Sequence, residues 1–420
     1  MLLIGDVHIT WRMTQSIIGL LRNFVDANPN EKNIIFAWDY VYHFAYDRAA
    51  LFSLYEFFVT LFEQGKSVYV LAWNHDRLTD SFVYAEAKKA FDILHSNSVW
   101  KLHFITQPEL HTIDGEKVFF LPYMIQQTDD WEKTLWPIAS THKYPAIEQQ
   151  INALTSSENK NERFSAYINN ILLQVVESHD ELTVIHHYYT NNIQFPWYKA
   201  RFAFKDIALS EQFLDISHIK LMSGHVHNPF AYKNYLCIGS VRSTSSLESN
   251  TIRGLFTYKN KQVSMDICMI NPYRSFTQEI RDILHIQDWL ITIDAVQKIY
   301  DYTCTTYIDE YLQSDSYTIT THIQPQPPID KIHLQIIADD MDYAHLEKYV
   351  DQTIVAQCKD IKLKKYNPAV QDLLEQFTSS QQKVVTTFSD RKQVLKEYIQ
   401  TKYPDDYDRY DQIMQDMKIV

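Results

Sequence analysis

Glycine is scarce in this chain, with 7 residues in 420 against 8 tryptophans. Average usage near 7% would give roughly 30 glycines. Flexible linkers and glycine-rich phosphate loops are therefore excluded as organising features. Cysteine is scarce too: Cys237, Cys268, Cys304 and Cys358 are far apart and form no CxxC pair. That spacing argues against a structural zinc cluster or a disulfide framework and predicts reduced, buried thiols. No apolar run approaches the roughly 18 residues of a membrane-spanning helix, so no membrane partner is expected. The first strand pattern begins at Met1, which leaves no room for a signal peptide and makes cytoplasm the expected compartment. Positive charge is also in deficit: 39 Lys and Arg face 52 Asp and Glu, a formal net charge of −13. A protein that grips nucleic acid alone carries a basic balance or patch. Tight, unaided DNA binding is thus not expected, although catalysis on DNA remains open.

What is present is a large apolar fraction, 45% hydrophobic with 14% aromatic, enough for two or three domains with a substantial core. Up to about Ile105, apolar runs at Met1–Ile4, Ile34–Ala37 and Val68–Ala72 alternate with helical stretches at Met13–Ala27, Ala49–Gln64 and Ser81–Leu94. That alternation predicts a layered α/β domain. Asp114-Gly115 between Glu109–Ile113 and Lys117–Leu121 predicts a hairpin. Helices are expected near Ala146–Leu154 and Phe164–Glu177, and strands at Leu182–Ile185 and Ile219–Met222. Short strands follow near Phe230–Tyr232, Tyr235–Ile238, Leu255–Tyr258 and Val263–Cys268, completing the second sheet of a β-sandwich with helices outside. The division expected is 1–277 for the main domain, 278–366 for a small α/β module and 367–420 for a helical tail. The module's clearest part is strand Ile332–Ile337, helix Tyr343–Val355 and strand Asp360–Lys364. The tail's apolar stripe suits either a packed helix or a partner surface.

Five polar blocks stand behind five of those strands: Asp6-Val7-His8, Trp38-Asp39, Trp73-Asn74-His75-Asp76, His186-His187 and Gly224-His225-Val226-His227. Alone, each is more often an ordinary polar loop. Five in order, each after an apolar run, point to one metal site, because open α/β sheets converge functional residues at the carboxyl ends of their strands. Asp6 and His8 can share an ion, and Asp39 can bridge two through its two oxygens. Asn74 adds an amide oxygen without charge. His186, His225 and His227 are expected to complete the second ion's shell. Carboxylates, an amide and imidazoles suit two divalent ions of borderline hardness, manganese first and then iron or zinc. His75 is the candidate acid or phosphate contact, with Asp76 orienting its ring. His187 is either a surface or hydrogen-bonding residue or a phosphate contact.

These blocks resemble the calcineurin-like metallophosphoesterases, whose pattern is DxH, GD, GNH[DE], H and GHxH. Within that superfamily the chain looks most like the SbcD-type DNA-repair nucleases and their phage relatives. Leu121-Pro122-Tyr123-Met124, Ile238-Gly239-Ser240 and Arg253-Gly254-Leu255 carry the narrower likeness. The resemblance covers about Met1–Pro272. It implies a four-layer metallophosphoesterase β-sandwich flanked by helices, with a capping module and a helical tail. It also implies a two-metal, usually manganese-dependent exo- and endonuclease for DNA ends or hairpins. Its implied partners are an SbcC-type, SMC-like ATPase docking on the tail and a second copy of the chain. The alternatives are a phosphoesterase for small molecules or phosphoproteins, and a catalytically weakened scaffold.

Two departures stand out. Relatives often carry His or Asp three residues after the second-block Asp. Here that position is Tyr42 and His43 follows, leaving a phosphate-contacting role for His43 open. The glycines expected before Asp39 and Asn74 are Trp38 and Trp73, where glycine would permit positive φ and close backbone approach. Either the source organism reads a reassigned stop codon there as glycine, or the indoles line the pocket. A UGG codon at both positions would rule out recoding.

Overall fold

The computed structural model describes residues 1–10, 13–37, 44–72, 102–124, 143–191, 193, 207–242, 251–259, 261–267, 273–276, 301, 304–323, 333–338 and 360–365. Backbone contacts divide the chain into two compact units, Met1–Lys199 with Lys205–Tyr366, and Ala200–Phe204 with Asn367–Val420. The second unit lies outside the described residues, as do the expected helices at Ser81–Leu94 and Tyr343–Val355.

The first unit is mixed α/β. Strands β1 (Leu2–Ile4), β2 (Asn33–Phe36), β3 (Ser67–Leu71) and β4 (Leu102–Ile105) run parallel, side by side. On its other side β1 pairs antiparallel with β13 (Gly254–Lys259), which hairpins to β14 (Gln262–Ile267), and β16 (Thr318–Ile323) closes this seven-stranded sheet. The helices between the first strands, α1 (Thr14–Ala27) and α2 (Phe44–Glu63), provide the crossovers that parallel neighbours require. In α1, Ile17, Ile18, Leu21, Phe24 and Val25 recur at helical spacing and are all buried, each contributing about 1.5–3 kcal/mol of burial.

The second sheet has six strands in the order β11 (Phe230–Tyr232), β12 (Tyr235–Cys237), β10 (Ile219–Ser223), β7 (Leu182–His186), β6 (Glu116–Leu121) and β5 (Glu109–Ile113). The β5–β6 turn places Asp114 at φ 52° and Gly115 at φ 86°, as the expected Asp-Gly hairpin requires. Helices α3 (Pro145–Thr155) and α4 (Lys160–Glu177) precede β7, and the Asn159 side chain caps α4 by accepting from the Asn161 N–H at 2.9 Å. One buried cluster joins both sheets, with Leu3, Ile35, Val70 and Phe256 from the first and Val118, Phe120, Ile185 and Met222 from the second.

Strand pairing crosses residue 277 in both directions. Strand β15 (Tyr273–Phe276) pairs with β17 (His333–Ala338) and β18 (Asp360–Lys365) in a separate three-stranded sheet. Strand β16, from within 278–366, instead completes the first sheet. The chain therefore leaves the main fold at β15, returns at β16 and leaves again. Cys237 and Cys304 are free and buried, as expected for reduced thiols. Cys268 and Cys358 lie outside the described residues. Among the described residues no helix is long and apolar enough to cross a membrane.

Candidate metal centre

Three chain segments meet where the carboxyl end of β1 faces the carboxyl ends of β10 and β12. Beyond β1, Val7 and Ile9 turn into the core with no exposure, leaving Asp6 and His8, also two apart, for the opposite side. His225 and His227 follow β10. His8 and His225 both adopt left-handed backbone, with φ of 44° and 66°. Such a conformation costs a non-glycine residue about 1–3 kcal/mol and recurs at functional sites. At His225 it forms the apex of a three-residue turn closed by the Val226 N–H on the Gly224 carbonyl at 2.7 Å.

The result is a compact triad. The Nε2 atoms of His8 and His227 lie 3.0 Å apart, and Asp6 Oδ2 is 3.8 Å from the first and 3.6 Å from the second. A point equidistant from the three atoms lies about 2.0 Å from each, the distance at which imidazole and carboxylate bind a divalent transition ion. Asp6 has no exposure and His8 1%. A buried carboxylate demands a positive partner, and two ring nitrogens aimed at the same point supply one most directly by sharing an ion. Without an ion, the 3.0 Å approach becomes an N–H···N hydrogen bond with one ring donating. The residues present thus fit a divalent cation in number, type and spacing.

Two glycines hold the triad together. A β-carbon on Gly5 would meet the Gly239 carbonyl oxygen at 2.1 Å, and one on Gly239 (φ 66°) would meet the His227 carbonyl oxygen at 2.6 Å. Their bare backbones let the Asp6 N–H donate to the Gly239 carbonyl at 3.1 Å and the Ser240 N–H to the His227 carbonyl at 3.0 Å. Arg242, 7% exposed, donates through Nε to the His8 carbonyl at 2.7 Å, while the Ser240 hydroxyl donates to the Arg242 carbonyl at 2.6 Å. The loop after β12 therefore staples the Asp6–His8 segment to the His227 segment. Gly239 and Ser240 carried a sequence signal. Arg242 did not, because a buried guanidinium serving a backbone carbonyl leaves no motif.

His227 was expected with His186 and His225 around the second of two ions; the structure brings its ring beside Asp6 and His8. The reason is the turn at His225, which sends the two histidines of the GHxH block to different neighbours. His225 faces His187, with ring centroids 4.5 Å apart, and Tyr189 at 4.3 Å. Its N–H approaches Asp6 Oδ1 at 3.5 Å. His187 is 1% exposed, so it is not a surface residue. His186, at the end of β7, is fully buried, and burial pushes its pKa down to about 3. That keeps the ring neutral, the form that binds metal. Its Nδ1 receives the Tyr188 N–H at a long 3.3 Å, and its Nε2 has no hydrogen-bond partner among the described residues. An accepting Nδ1 leaves the proton of the neutral ring on Nε2, so Nε2 could hold a cation only if that proton moved to Nδ1 and the Tyr188 hydrogen bond were given up.

Asp39, His43, Asn74, His75 and Asp76 lie outside the described residues, as do Trp38 and Trp73. Strands β2, beside β1, and β3, next beyond it, end at Phe36 and Leu71, three residues before Asp39 and Asn74. No family model matches the chain, and no curated protein matches it.

Proposed function

We propose that the chain is a divalent-metal-dependent phosphodiesterase, with the Asp6–His8–His227 triad holding one of two ions. The observation that carries this reading is the convergence of Asp6 Oδ2 with the two Nε2 atoms. In the fuller assignment, Asp39, Asn74, His186 and His225 would help hold the second ion. A bound ion there would polarise the phosphoryl oxygen and lower the pKa of a bound water. The chain's own residues do the rest. Asp6, His8 and His227 fix the ion against β1, and the strained turn at His225 keeps the two histidines of its block apart. His75 protonates the leaving oxygen, with Asp76 orienting it. The seven- and six-stranded sheets around a common core support the four-layer metallophosphoesterase sandwich.

The substrate proposed is DNA, at ends or hairpins, by resemblance to the SbcD-type nucleases. With a net charge of −13, the chain would rely on an SMC-like ATPase partner for its grip on the duplex. The test is metal content and manganese-dependent cleavage of linear DNA, alongside a generic phosphodiester. Wild type and His227→Ala are compared, each made with tryptophan and with glycine at positions 38 and 73. His227→Ala is expected to lose bound metal and at least about a hundredfold in cleavage rate. Equal metal content in wild type and variant would show that the triad is an ordinary hydrogen-bonded cluster.

A further inference from the structure

At the far end of the second sheet, the amino ends of β6, β7 and β10 and the β13–β14 turn enclose a cavity of about 340 Å³. That size falls in the range of small-molecule sites. It lies about 13 Å along β7 from His186, so it is separate from the candidate metal centre. Its most informative group is Lys220. The register pairs Lys220 with Thr183 on the neighbouring strand, on the face turned toward the first sheet, where Tyr258 covers the opening. Lys220 is 7% exposed, yet its ammonium makes no hydrogen bond or ion pair among the described residues. The ring of Tyr317 has its centroid 5.7 Å from Nζ, and Glu181 acts on the ammonium from the rim. An ammonium carries three donors, and a buried one without acceptors is costly.

Two hydroxyls and a second cation face the same space. Thr183 Oγ1 and the Tyr258 hydroxyl are 3.4 Å apart, and both line the cavity with Lys261. Burial and the like charge of Lys261 hold the Lys220 ammonium below its ordinary pKa, the mark of two cations sharing one pocket. Glu181 offsets Lys261 at 3.5 Å, but on the open rim, with the two side chains 59% and 81% exposed. A pair so exposed is worth little, so Lys261 can turn inward at small cost. Glu116 also lines the cavity and accepts from the Tyr258 hydroxyl, so Tyr258 must exchange that carboxylate for the anion and the affinity is modest.

We propose that this cavity binds the phosphate group of a small anion, with Lys220 as the central donor and Thr183, Tyr258 and Lys261 completing the cradle. Three N–H donors and two hydroxyls outnumber the acceptors of a carboxylate and suit a tetrahedral oxyanion. The two sources of that group are free inorganic phosphate and a nucleoside monophosphate.

The test is titration calorimetry on the full chain after metal chelation, which removes any contribution from the candidate metal centre. The probes are inorganic phosphate, deoxyadenosine monophosphate and acetate, each up to about 10 mM. Wild type is expected to bind phosphate or the monophosphate and not acetate, and the tighter of the two identifies the source. Lys220→Met, which retains the apolar stem, and Thr183→Val are each expected to weaken binding about tenfold or more, while His227→Ala leaves it unchanged. Thermal melts confirm that the variants fold. No binding of either phosphate probe to wild type, or equal binding by folded Lys220→Met, overturns the proposal.

Discussion

A methyl group at residue 239 has nowhere to go. The position combines left-handed backbone with a carbonyl oxygen 2.6 Å from where the β-carbon would sit. Gly239→Ala is therefore expected to cost about 1–3 kcal/mol. The carbonyl in the way belongs to His227, so the strain should fall on the metal triad. Chemical denaturation and metal analysis together check this, with lower stability and lower metal occupancy expected. Unchanged occupancy would mean that the loop after β12 does not position His227. Ile238-Gly239-Ser240 was marked in the sequence only as part of the family likeness, and Gly5 carried no signal of its own. Pairing of residues two apart was legible for Asp6 and His8, because strand alternation is a local rule. The destination of His227 was not. It depends on the sign of one φ angle at His225, and nothing in Gly-His-Val-His announces that angle.

Among the elements, the segment following β6 shows how the second sheet supports the site. Tyr188, 2% exposed, donates its hydroxyl to the Pro122 carbonyl at 2.9 Å and accepts the Met124 N–H at 3.1 Å. One oxygen thus satisfies two backbone groups of a buried bend, two residues beyond His186. Tyr188→Phe strands both and is expected to destabilise the fold by about 1–3 kcal/mol, read as a lower denaturation midpoint with unchanged slope. A midpoint within error of wild type would show that water replaces the hydroxyl.

Strand positions were largely legible because apolar runs bounded by turn residues mark them, as β2, β3, β7 and β10 show. Strand partners were less so. Strands β15 and β16 lie on either side of residue 277, yet each pairs with a strand from the other side. Pairing is decided by residues far away in sequence, such as Gln262–Ile267 for β16, and no local pattern encodes it.

For the whole molecule, charge and the division into units shape the expected behaviour. The second compact unit is almost entirely the segment from Asn367 to Val420, the stretch expected to dock an ATPase partner. A chain ending at Tyr366 is therefore predicted to retain metal binding and cleavage of the generic phosphodiester, and to lose association with that partner in co-purification. Retained association would place the docking surface on the first unit.

The position of β1 sets a clock on all of this. It lies between β2, made soon afterwards, and β13, which begins only at Gly254. At 5–20 residues per second, about 11–44 s of synthesis separate the two neighbours. During that interval β1 has an unpaired edge, and Asp6 and His8 wait for the stretch that brings His227, Gly239 and Arg242. Chains stalled before Gly254 should be protease-sensitive through β1, and chains stalled after Ile267 resistant. Equal resistance would show that the edge is covered by other means. A half-built sheet therefore precedes the assembly of Asp6, His8 and His227 into one cluster.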